Sequence, residues 1–140
     1  MNSSWRRNRR VALMATTAIT LVAAATTDAQ TPQPQVTFAR DVAPIFQAKC
    51  EACHRPDSIA PMSLQSYESA RPWARSIRAR VESRQMPPWH IDKTVGIQQF
   101  KNDRSLNDVE IATILAWVDQ GAVKGGPKDM PAARVWPTDQ

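Results

Sequence analysis

The chain holds two cysteines and two histidines among 140 residues, and three of those four fall in one pentapeptide, Cys50-Glu51-Ala52-Cys53-His54. C-x-x-C-H is the attachment signature of c-type haem, and the spacing has a chemical reason. In one helical turn, residues three apart share a face. Cys50 and Cys53 can therefore present both thiols to the two vinyl groups of one macrocycle, while the next residue, His54, brings an imidazole under the iron. The motif predicts haem c as cofactor, covalent anchors at Cys50 and Cys53, and a proximal iron ligand at His54. Competing readings lack partners. A thioredoxin-like dithiol belongs in a βαβ context, and no alternating strand pattern occurs here. A structural zinc site wants four Cys or His ligands. The whole supply is Cys50, Cys53, His54 and His90.

The first 29 residues read as a secretory signal peptide. Arg6, Arg7, Arg9 and Arg10 form a positive leader, and Val11 to Ala25 is an apolar stretch too short and Thr-rich for a bilayer span. Thr27-Asp28-Ala29 offers a small-x-small cleavage site, with Ala25 as the alternative and a retained membrane anchor as the remaining reading. The reading implies export to the periplasm, where haem is attached to C-x-x-C-H, and no stable membrane insertion after cleavage. The leader carries four of the 18 basic residues and one of the 13 acidic ones, so the net charge falls from +5 to about +2 on processing. That mild charge, with no zinc finger, aromatic RNA motif or long basic run, gives no support for nucleic-acid binding. About 110 mature residues make one small domain, to which a buried macrocycle would add core.

Along the mature chain, residues 30–36 form a Thr/Pro/Gln-rich lead expected to be disordered. A first helix is predicted from about Asp41 to Cys50, with Pro44 in its first turn and Val42, Ile45 and Phe46 as its apolar stripe. A loop follows over Arg55 to Ser63. A second helical stretch is predicted from Tyr67 to Ser83, capped by Ser66 and bent near Pro72, with Ala70, Trp73, Ala74, Ile77 and Val81 on its apolar face. The third has Asn107 as N-cap, Glu110 three residues on, Ile111, Ile114, Leu115 and Val118 at helical spacing, and Gly121 as its stop. The fold class expected is all-α, with about three main helices around one covalently bound haem.

This order, with Ala60-Pro61-Met62-Ser63-Leu64, Arg71-Pro72-Trp73-Ala74, Met86-Pro87-Pro88-Trp89 and Trp117-Val118-Asp119-Gln120-Gly121-Ala122, resembles class I mono-haem cytochrome c, in particular small bacterial cytochrome c domains. The resemblance covers residues 37–125 and leaves 126–140 as a flexible C-terminal tail. It implies the cytochrome c fold, with the first and last helices meeting near Phe46 and Trp117, and a hydrogen bond from His54 to the Pro61 carbonyl. It also implies periplasmic redox proteins as electron donor and acceptor. Met62, Met86, His90 and Met130 are the side chains available for the distal face. Met86, between the middle and last helices, stands where the family has its methionine ligand, and Pro87 and Pro88 stiffen the strap that carries it. His90 is the alternative.

A His54/Met86 pair implies a six-coordinate iron and an electron carrier cycling between Fe(III) and Fe(II), with no catalytic residue. The alternative is a haem enzyme or a gas or redox sensor with an open or labile distal site. Arg84, Trp89 and Tyr67 are candidates for contact with haem propionates. Arg71, Arg75 and Arg78 form a basic face that is either solvated or a docking surface for an acidic partner.

Overall fold

Pro44 governs how the first helix begins. The structure is a computed structural model that describes residues 34–136 apart from 89–91, 93, 98 and 99. Residues 1–29, expected to be a signal peptide, residues 30–33 of the lead, Trp89, His90 and residues 137–140 lie outside the described residues. Pro44 has no N–H to give to the Arg40 carbonyl. Ahead of it the chain winds more widely, over a π-helical segment Phe38–Val42, in which Val42 N–H reaches the Thr37 carbonyl at 3.3 Å. Helix α1, Ala43–Lys49, continues from it. The helical run thus starts three residues before the expected Asp41, and Phe38 joins Val42 and Phe46 in the core.

The middle stretch has three parts. The Ser66 hydroxyl accepts from Ser69 N–H at 3.2 Å and starts α2, Tyr67–Ala70. Pro72 then forces a tighter 3-10 turn over Arg71–Trp73, after which α3 runs over Ala74–Glu82. Ala70, Ala74, Ile77 and Val81 are buried as expected, but Trp73 is 43% exposed. The 3-10 turn has fewer residues per turn than an α-helix, and it rotates Trp73 off the apolar stripe.

The last helix, α4, is Asp108–Asp119. Its start is the predicted capping box. Asn107 Oδ1 accepts from Glu110 N–H and Glu110 Oε2 accepts from Asn107 N–H, both at 2.8 Å. Its end is a Schellman turn, with Ala122 N–H on the Trp117 carbonyl at 2.8 Å and Gly121 N–H on that of Val118 at 3.0 Å. Gly121 takes the left-handed conformation at φ +96°.

The helices meet around an aromatic cluster. The Trp117 ring lies 5.8 Å from Phe38 and 6.4 Å from Phe46, and Phe38 lies 5.8 Å from Tyr67. Trp117 Nε1 donates to the Val123 carbonyl at 3.0 Å, so its one polar atom is satisfied. Residues 123–125 run beside the start of the π-helical segment, joined by Phe38 N–H to Val123 O at 2.8 Å and Ala39 N–H to Lys124 O at 3.0 Å. Contact there is close enough that a Cβ on Gly125 would fall 2.7 Å from Thr37 Cβ. Beyond a 3-10 turn at Pro127–Asp129, Met130 packs on the core and the chain crosses α1, with Gln47 Nε2 donating to Ala132 O at 2.9 Å. The described residues contain helices and one isolated bridge, Thr37 to Val123, and no strand. The domain is all-α. No helix among the described residues is long and apolar enough to cross a membrane.

Candidate functional site

The C-x-x-C-H segment extends the last turn of α1. Phe46, fixed in the core, accepts at its carbonyl from both Cys50 N–H, at 2.8 Å, and Glu51 N–H, at 2.9 Å. Cys53 N–H and His54 N–H then return to the Cys50 carbonyl at 3.1 and 3.0 Å, closing one more helical turn. Cys50 and Cys53 are free thiols three residues apart on that turn. Burial, reinforced by the negative charges of Glu51 and Glu110, pushes the Cys50 thiol up to about 12. A thiol so placed stays protonated at neutral pH. That is the reverse of what a thiolate-based redox pair requires.

His54 is oriented from the following loop. Its Nδ1 lies 3.2 Å from the Met62 carbonyl, which can only accept. In the neutral ring this bond puts the proton on Nδ1 and the lone pair on Nε2. The family resemblance implied this bond to Pro61, and the acceptor is one residue later. The loop is pinned by Leu64 N–H on the His54 carbonyl at 2.9 Å and Ala60 N–H on that of Cys53 at 3.1 Å, and that register turns the Met62 carbonyl toward the ring.

Three of the four distal candidates are described. Met62 and Met130 pack their side chains against the core, whereas Met86 is 42% exposed. Met86 lines a small cleft with Val81, Arg84, Pro87, Leu106 and Ile111. Ile111, in the first turn of α4, lines the same cleft as Met86. The segment preceding α4 closes on the motif. Lys49 Nζ donates to Asp103 O at 3.3 Å, and Arg104 lies 3.6 Å from Cys53 Sγ. Nearby in sequence, Ile59, Val95, Ile97 and Phe100 leave large apolar side chains exposed.

Other candidate residues have different partners. Tyr67 donates its hydroxyl to Ala122 O at 3.0 Å, and Arg84 pairs with Asp108 at 2.8 Å. Arg78 pairs with Asp119 at 2.7 Å and Glu82 at 2.6 Å, which removes it from the free basic face and leaves Arg71 and Arg75. Residues of the tail that sequence reasoning did not associate with the motif also reach it. Trp136 Nε1 donates to Glu51 Oε2 at 3.4 Å, and the guanidinium groups of Arg134 and Arg55 lie 4.4 and 5.5 Å from the Trp136 ring. Nothing local signals a contact spanning 85 residues.

Among the described residues no group of three or more His, Cys, Asp or Glu side chains can hold a bare metal ion. The donor set fits haem c better. It consists of two cysteines on one turn, one imidazole whose Nδ1 is held at a carbonyl, and one thioether outside the core. The chain matches no protein-family model, no curated protein and no solved structure.

Proposed function

We propose that the mature chain is a periplasmic mono-haem c-type cytochrome of class I, an electron carrier with thioether anchors at Cys50 and Cys53 and axial ligands His54 and Met86. The observation that carries this reading is the His54 Nδ1 bond to the Met62 carbonyl, on a turn whose two cysteines precede it. Haem c bound there supplies one-electron Fe(III)/Fe(II) chemistry, and thioether ligation favours the ferrous state.

The chain's own residues contribute rigidity and exclusion. Phe46 ties the attachment turn to the aromatic core, and the Met62 carbonyl holds the His54 ring in one orientation and tautomer. Met86 N–H is held by the Arg80 carbonyl at 3.2 Å, and Pro87 and Pro88 restrict the strap that follows. The exposed apolar side chains of Ile59, Val95, Ile97 and Phe100 are of the kind that would cover a macrocycle and keep water from it. In this reading residues 1–29 direct export and are removed after Ala29, and donor and acceptor are periplasmic redox proteins.

The test is the optical spectrum of mature protein made with haem-attachment machinery, oxidised and reduced, for wild type and Met86→Ala. The wild type is expected to be low-spin, with the weak sulfur-to-iron band at the red end of its oxidised spectrum, and the variant is expected to lose that band. A high-spin wild type, or rapid carbon monoxide binding to the reduced protein without denaturant, would instead favour an enzyme or sensor with an open distal site.

A further inference from the structure

The surface between α3 and the end of α4 holds a groove of about 310 Å³, lined by Arg71, Pro72, Ala74, Arg75, Val118, Gly121 and Ala122. Small apolar side chains and backbone line its floor. Ala74 and Ala122 are buried there and Val118 is half-buried, while Arg71 and Arg75, one helical turn apart, stand exposed at its rim. The charges around it are unevenly satisfied. Asp119 and Glu82 are held by Arg78, and Glu68 is held by Lys124. Arg71 and Arg75 have no carboxylate partner among the described residues, so two planar guanidinium groups flank the groove with no anion of the chain's own assigned to them.

The backbone of the floor adds a second observation. Gly121 and Ala122 both have positive φ, +96° and +52°. For Ala122 this is a strained conformation, held by its N–H on Trp117 O and by the Tyr67 hydroxyl on its carbonyl. The space beside Gly121 is open, since a Cβ built there meets nothing within 4 Å. A partner chain can therefore approach the backbone at this point.

We propose that this groove docks a segment of the electron-transfer partner that presents carboxylates to Arg71 and Arg75 and lays small apolar side chains on Ala74, Val118 and Ala122. The proposal rests on the electron-carrier reading for the partner's identity. The groove and its charge do not depend on that reading. Arginine suits the task because its fork accepts a carboxylate through two parallel hydrogen bonds. Such a contact speeds encounter, fixes orientation and weakens as salt screens it.

The test is an amide-resonance titration of the mature holoprotein with the capped tetrapeptide Glu-Leu-Ala-Glu and with its Gln-Leu-Ala-Gln counterpart. Saturable shifts at the Ala74, Val118, Gly121 and Ala122 amides with the acidic peptide are expected, weakening on the order of tenfold in an R71Q/R75Q double variant and with added salt. No saturable shift, equal shifts with the neutral peptide, or unchanged binding by the double variant would overturn the proposal. The optical spectrum of the same samples reports separately on His54 and Met86, so failure of the groove and failure of the haem reading are distinguishable. R71Q/R75Q leaves that spectrum unchanged if its effect is on docking alone.

Discussion

Glu51, the first residue between the two cysteines, is 3% exposed and takes its side-chain hydrogen bond from Trp136. Burial raises its pKa, and the Trp136 bond and the Arg134 charge offset that only in part. An acid whose folded pKa lies above its unfolded value favours folding below the unfolded pKa. That contribution is lost as pH rises through the folded value. Glu51→Gln keeps an oxygen for Trp136 and removes the buried charge. The variant should melt above wild type at neutral pH, with the difference vanishing in acid below the ordinary carboxylate range. Thermal melts at the two pH values check this, and a lower Tm for the variant at neutral pH would contradict it. At this scale the sequence supplied the identities of the motif residues and the roles proposed for them. The Met62 carbonyl and the Trp136 contact were not legible, because each depends on how a separate stretch of chain folds back over the turn.

Among the elements, α4 is the one whose start, face and stop all follow from local chemistry. Removing the reciprocal cap should cost about 1 kcal/mol. Asn107→Ala is therefore expected to lower the denaturant midpoint without changing the slope, and an unchanged midpoint would mean that tertiary packing alone holds the first turn. Elsewhere proline was the sequence signal, and its consequence was subtler than a bend. Pro72 produces a 3-10 turn that displaces Trp73 to the surface, and Pro44 is preceded by a π-helical segment that brings Phe38 inward. Both outcomes change the winding per turn. A periodicity argument at fixed helical pitch places residues on either side of such a turn on the wrong face, which is why Trp73 was assigned to the buried stripe and Phe38 was left out of it.

For the molecule as a whole, stability concentrates on Trp117. It is fully buried, packs on Phe38 and Phe46, and its indole N–H bonds Val123, the residue that also receives the N–H of Phe38. Trp117→Ala should destabilise by about 3–5 kcal/mol, measured by denaturant unfolding of the mature protein. A loss below about 1 kcal/mol, within the range of ordinary surface substitutions, would show that the aromatic cluster is not the centre of the fold. The Phe46–Trp117 contact was expected from resemblance and is present. The tail was expected to be loose, yet Gln47 holds it at Ala132, and Glu51 and Arg55 hold it at Trp136. The sequence alone determined the helical class, the caps of α4 and the C-x-x-C-H motif, because each arises from residues within one or two turns of one another. Tertiary structure decided which carbonyl orients His54, which methionine stays outside the core, which arginines remain unneutralised and where the tail lies. Those outcomes depend on pairings between segments far apart in the chain, and local propensity carries no information about which distant group will satisfy a given charge or N–H.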